Sequence, residues 1–119
     1  MKVTKTYFMI MATDVARAVR FYHDAFDFKV ALESPYWSEL RWGDATIAVH
    51  GREETPPAET ETGLGIEVDD LDAACQAVAD AGGRVVNPPV ERPGEGIRLA
   101  TAADPEGNRF SLAASTRQS

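Results

Sequence analysis

Few side chains in this sequence could carry chemistry. There are two histidines, His23 and His50, and one cysteine, Cys75. No Ser-His-Asp or Cys-His arrangement can be read from their spacing, and no glycine-rich loop suits a phosphate. A lone cysteine excludes an intramolecular disulfide and any multi-cysteine zinc site. His23 follows Val19 by one helical turn, beside an apolar stripe, and reads as surface or half-buried packing. Cys75 falls inside such a stripe and reads as an inert thiol. His50 closes a strand-like run at the start of a polar stretch, where it either caps the strand or serves as a base in a cleft. The aromatic residues say more. Tyr36, Trp37 and Trp42 cluster in and beside one strand-like run, which holds both tryptophans of the chain. A regular strand sends Trp37 and Trp42 to opposite faces. One then belongs to the core, and the other is free to stack on a planar ligand, worth roughly 0.5–1.5 kcal/mol beyond area burial. The plainer alternative buries both. Glu39, on the face of Trp37, and Glu67 suit a cationic group, and Arg41 or Arg109 an anionic one; the alternative for each is simple solvation.

The elements that must position these residues form a repeat. Ala12-Thr13-Asp14-Val15 is answered by Val68-Asp69-Asp70-Leu71, with Asp14 and Asp70 separated by 56 residues. Each copy opens with a short apolar run, Tyr7 to Ala12 or Leu64 to Val68. An Asp then stands where its carboxylate can accept from the free N–H groups of a first helical turn. Val15, Ala18, Val19, Tyr22 and Phe26 make one apolar stripe, and Leu71, Ala74, Cys75 and Val78 make the other. Gly82-Gly83 ends the second helix, whereas the first has no glycine at its exit. Strands are expected over Phe28 to Glu33, Trp37 to Trp42, Ala45 to His50, Arg84 to Val86, Ile97 to Thr101 and Arg109 to Ala113. A Pro-rich connection is expected from Asn87 to Gly96, and a turn at Asp104-Pro105-Glu106-Gly107-Asn108. Each half thus reads strand, helix, strand, strand, strand. The fold expected is α+β, with two βαβββ modules forming a curved, mostly antiparallel sheet around a cleft. Residues 1–119 make a single domain: one module over 1–50, a polar linker over 51–62, and a second module over 63–119.

A formal charge of −7 argues against nucleic acid and is compatible with a cationic small molecule. No run approaches the roughly 20 apolar residues of a membrane span, and the short apolar run after Lys2 and Lys5 is no signal-peptide core. The chain reads as cytoplasmic.

This double plan resembles the vicinal oxygen chelate superfamily, which holds glyoxalase I, extradiol dioxygenases, fosfomycin-resistance enzymes and bleomycin-resistance proteins. The resemblance rests on Thr13-Asp14-Val15 with Phe21-Tyr22 and Phe26-Asp27-Phe28, on Val68-Asp69-Asp70-Leu71 with Gly82-Gly83, and on Asp104-Pro105-Glu106-Gly107-Asn108. Metal-dependent members of that superfamily hold a divalent ion with four side chains from the first and last strands of each half. The positions implied here are Tyr7, Ala48, Gly63 and Ser111, which are poor or impossible ligands. A register shifted by two offers His50 and Glu67 beside Tyr7 and still lacks a fourth partner. The resemblance therefore implies a metal-free pocket with no cofactor. Its lining is drawn from Tyr7, Met9, Trp37, Glu39, Trp42, Ala48, His50, Gly65, Glu67, Arg109 and Ser111, with the small residues leaving room for a bulky guest. Met9 and Met11 serve as adaptable lining or as plain core. The function implied is that of the bleomycin-resistance branch: sequestration of a bulky aromatic or cationic natural product by a homodimer. The alternative is a metal-independent enzyme using Tyr7, His50 or Glu67 as acid or base, and a metal-dependent lyase or dioxygenase ranks third.

Overall fold

The computed structural model describes residues 1–116. Along the chain run β1 (Phe8–Ala12), α1 (Val15–Phe26), β2 (Lys29–Leu32), β3 (Trp37–Trp42), β4 (Ala45–Gly51), β5 (Thr60–Glu67), α2 (Leu71–Asp80), β6 (Arg84–Arg92), β7 (Ile97–Ala103) and β8 (Asn108–Ser115). Both halves are βαβββ modules, as the repeat predicts. Each forms its own four-stranded sheet, ordered β1-β4-β3-β2 and β5-β8-β7-β6. The last strand of each module returns beside its first, so β1/β4 and β5/β8 are parallel and the other pairs antiparallel.

The helix starts form as their sequences dictate. Asp14 accepts from the Arg17 N–H at 3.0 Å, and Asp70 from the Ala73 N–H at 3.0 Å, each satisfying a donor the helix cannot. The exit of α1 is made by Asp27, which takes the left-handed conformation at φ 58° without being glycine. Asp is among the few residues that tolerate this region. The two stripes meet in one core: Phe21, Tyr22 and Val19 of α1, Leu71 and Val78 of α2, and Phe110 and Leu112 of β8 are all at most 2% exposed. Phe21, Tyr22, Phe26 and Phe110 form an edge-to-face and tilted aromatic group whose centroids lie 4.8–6.5 Å apart.

Two expected elements are different, and the first is β5, which begins at Thr60, inside the stretch expected as a polar linker. The Pro-rich stretch is not a free connection, because β6 runs through Pro88 and Pro89 as far as Arg92. A proline cannot donate to a ladder, but β6 is an edge strand, and its pairing with β7 shifts register between Asn87 and Val90. Edges and bulges are where a strand tolerates proline.

Candidate functional site

The face of the first sheet turned away from the helices gathers seven of the residues singled out above. Register places Met9, Ala48 and Glu39 in one row across β1, β4 and β3, and Met11, His50 and Trp37 in the next. The Tyr7 ring meets the Trp37 ring edge-on at 5.4 Å between centroids, and Trp37 meets His50 edge-on at 6.0 Å. Trp37 Nε1 donates to Glu39 at 2.8 Å, and the Lys5 ammonium donates to the other carboxylate oxygen. These two bonds, Lys5 first, hold the Glu39 carboxyl below the usual carboxylate range. Lys5 and Tyr7 precede β1, yet their partners lie on β3 with β4 between. Their side chains therefore cross β4, and Ala48 in the middle row is fully buried. The room expected over Ala48 is taken by the protein's own N-terminal segment. Tyr7 and Met9 are about half exposed, and His50 is open to solvent. His50 Nδ1 lies 2.6 Å from the Gly51 carbonyl oxygen, which can only accept, so Nδ1 donates in this contact.

The matching face of the second sheet is less distinctive. Ser111 pairs with Gly65 and Thr101, and both Ser111 and Gly65 are exposed. Arg109, expected to meet an anion, is already engaged by Glu59 at 2.9 Å and Glu61 at 3.3 Å. Gly63 does not project on this face at all. The β5/β8 register shifts between Glu61 and Gly65, and Gly63 occupies the irregularity at φ 81°. Trp42 does not join Trp37 either. Strand alternation sends it to the helix side, where it is 68% exposed and helps line a cavity of about 930 Å³ together with Gly65 and Glu67. The remaining candidates behave as packing. His23 Nδ1 lies 2.8 Å from the Phe28 carbonyl oxygen, and burial pushes the Cys75 thiol up.

Asp104-Pro105-Glu106-Gly107-Asn108 reads in the sequence only as a turn, yet it carries a carboxylate with five hydrogen bonds among the described residues. Glu106 has a fully buried carboxylate that spans the two modules. It accepts from the Thr13 N–H at 2.6 Å, the Thr13 hydroxyl at 2.9 Å, the Asp14 N–H at 3.0 Å and the Arg17 guanidinium at 2.7 Å. Burial pushes this carboxyl up, but the hydrogen bonds from Thr13, Arg17 and Asp14 outweigh it and hold it below the usual range. Asp104 supports the turn by accepting from the Glu106 and Asn108 N–H groups and from the Tyr22 hydroxyl, the last at 2.7 Å. Asn108 reaches the Met11 carbonyl at 2.8 Å. The legible signal was length: Asp104-Pro105-Glu106-Gly107-Asn108 is longer than Gly43-Asp44, its counterpart in the first half, and carries an acidic residue at its middle.

The residues at the positions implied for a metal do not make a ligand set. Ala48 and Gly63 have no side-chain donor, and Tyr7 packs on Trp37. Among the described residues no three His, Cys, Asp or Glu side chains converge on a point that could hold an ion.

Several solved structures share this architecture over almost the whole chain. The bleomycin-binding protein of bleomycin-producing Streptomyces verticillus, complexed with copper(II)-bleomycin, is 26% identical with a TM-score of 0.71, covering 97% of this chain and 98% of that one. The fosfomycin resistance protein FosX of Mesorhizobium loti is 21% identical with a TM-score of 0.74, covering 98% and 95%. The hypothetical protein SA1046 of S. aureus is 20% identical with a TM-score of 0.76, covering 96% and 95%. No curated protein matches the sequence significantly. The family described as the Glyoxalase/Bleomycin resistance protein/Dioxygenase superfamily matches residues 6–112, both modules included, and the chain belongs to that superfamily.

Proposed function

We propose that this protein captures a bulky aromatic, cationic natural product of the antibiotic class and protects the cell by sequestering it, without a metal ion and without breaking a bond. The observation that carries this reading is the Tyr7–Trp37–His50 array, with the Glu39 carboxylate held at its base by Trp37. Aromatic edges and faces bind a planar guest, and Glu39 supplies the charge that a cationic group needs. The Lys5 ammonium, itself 42% exposed, stands where that group would go and can be displaced by it. The likeness to a protein that holds copper(II)-bleomycin supports the ligand class. A cytoplasmic homodimer fits the reading. A two-fold axis would set this face, with half-exposed Tyr7 and Met9, against the open face of the partner's second sheet and deepen a shallow surface into a cleft.

Thermal shift and tryptophan emission with bleomycin and with polycyclic cations test the proposal. Binding should raise the melting temperature, and Trp37→Ala or Glu39→Gln should weaken it about tenfold, near 1.4 kcal/mol, with the fold intact by circular dichroism. Failure of every cationic or polycyclic compound to stabilise the protein would overturn it. So would conversion of the ligand that is abolished by His50→Ala or Tyr7→Phe, because that result belongs to an acid–base enzyme. Stoichiometric metal in the purified protein, with a melting temperature lowered by EDTA, would overturn the metal-free part.

A further inference from the structure

The two modules are alike in plan but not in how their turns are used. In the second, the β7–β8 turn carries Glu106 onto the N-terminus of α1 and closes the space there. In the first, the corresponding β3–β4 connection is only Gly43-Asp44, and among the described residues no side chain from it bonds to the N-terminus of α2. Beside that N-terminus, on the side of the first sheet opposite Glu39 and Ala48, lies the cavity of about 930 Å³. Its floor is apolar and largely aromatic: Phe8, Phe26, Phe28, Trp42, Leu64 and Ile66. Around it stand five carboxylates, Asp24, Asp27, Glu67, Asp69 and Asp70, and among the described residues no Lys, Arg or His lines it. All five residues are solvent-exposed, and among the described residues the side chains of Asp24 and Asp69 have no hydrogen-bond or ion-pair partner.

We infer that this cavity is a second binding site, separate from the Tyr7–Trp37 face, for a small planar aromatic cation. The volume lies in the range of small-molecule pockets. Trp42, 68% exposed, is uncovered to receive a flat ring system, with the partly buried Phe8 and Phe26 and the buried Phe28 behind it in the lining. The ring of carboxylates concentrates cations at the mouth and repels anions. The same charge disfavours a second copy of the chain as occupant, because a two-fold contact through this groove would set its carboxylates against themselves.

The chain holds only two tryptophans, one at each site, so the sites can be read apart. Trp37→Phe leaves Trp42 as the sole reporter, and Trp42→Phe leaves Trp37. Berberine, a planar cation that brightens in apolar surroundings, is the probe, with anionic 1-anilinonaphthalene-8-sulfonate as its counterpart. In Trp37→Phe protein, berberine should shift Trp42 emission to the blue and saturate. Asp24→Asn with Asp69→Asn should weaken binding about tenfold and flatten its salt dependence. Ala73→Phe, which fills the groove, should abolish binding, while Arg92→Ala, on the far edge strand of the second sheet, leaves it unchanged. The anionic dye should bind there at least tenfold more weakly. The inference is overturned if Trp42 emission does not respond, if the paired asparagine variant binds as well as wild type, or if the two dyes bind alike. Dimerisation in sedimentation that is abolished by Trp42→Glu would also overturn it, by making the groove an interface between copies. Loss of berberine binding only with Trp37 would assign the probe to the other face, so this inference and the proposed function fail on different results.

Discussion

Replacing Glu106 with glutamine tests the link between the modules most directly. The shape is kept, but one carboxylate oxygen becomes an amino group. If the amino group takes the Oε1 position, it faces the Thr13 N–H and hydroxyl. If it takes the Oε2 position, it faces the Asp14 N–H and the Arg17 guanidinium. In either orientation two contributions are lost. With the amino group at Oε1 the Thr13 hydroxyl can turn to accept from it, so the losses are the acceptor of the Thr13 N–H and the charge that strengthens the Arg17 bond. With it at Oε2 they are the acceptors of the Asp14 N–H and of Arg17. At about 1–1.5 kcal/mol for each, at the low end because Thr13 and Asp14 are reached by water, the loss is about 2–3 kcal/mol. That is a large part of the roughly 5–15 kcal/mol that holds a domain of this kind folded. It should lower the melting temperature by about 10 °C at pH 7. The pH dependence provides a second reading. A carboxyl held below its unfolded value contributes stability that is fully present above that value, near 4.3 for Glu, and is lost as pH falls through the lower folded value. Denaturant midpoints measured from pH 7 downward should therefore converge for wild type and Glu106→Gln under acid, because a protonated Glu106 resembles the amide. A variant within 0.5 kcal/mol of wild type at pH 7, with a parallel pH profile, would refute the view that this carboxylate holds the halves together.

Other outcomes follow from particular contacts. Gly83→Ala would place a Cβ 2.6 Å from Phe21 and 2.7 Å from the Ala103 carbonyl oxygen, and should cost about 2–3 kcal/mol by denaturation. Gly65→Ala, where a Cβ meets nothing within 4 Å, should stay within about 0.5 kcal/mol of wild type. Tyr22→Phe removes the 2.7 Å bond to Asp104 and should cost about 1–2 kcal/mol. It should also erase the latest tyrosinate step in an alkaline titration, because burial and then the Asp104 charge hold the Tyr22 phenol well above its ordinary value. Lys5→Ala frees Glu39 and should tighten binding of a cationic guest up to about fivefold in a fluorescence titration, since a half-exposed ion pair is worth at most about 1 kcal/mol. Unchanged or weaker binding would mean that Glu39 is not the cation's partner.

The sequence alone determined the features that depend on neighbours a few residues away. The caps at Asp14 and Asp70, the two apolar helical stripes and the alternation that separates Trp37 from Trp42 are local, set by periods of 3.6 and 2. So is the repetition of the βαβββ plan, and with it the fold class. Tertiary structure decided everything that depends on which distant surface meets which. The exit of α1 at Asp27 and the passage of β6 through two prolines follow from packing and edge position rather than from residue type. The Trp37 face could be read as one side of a strand, but its covering by Lys5 and Tyr7 requires their side chains to reach across β4. Glu106 looks like a turn residue until Thr13 and Asp14, more than ninety positions earlier in the chain, are brought onto its oxygens. Sequence periodicity reports which side of an element is apolar. It does not report what that side is packed against, because that depends on how the two modules close on each other.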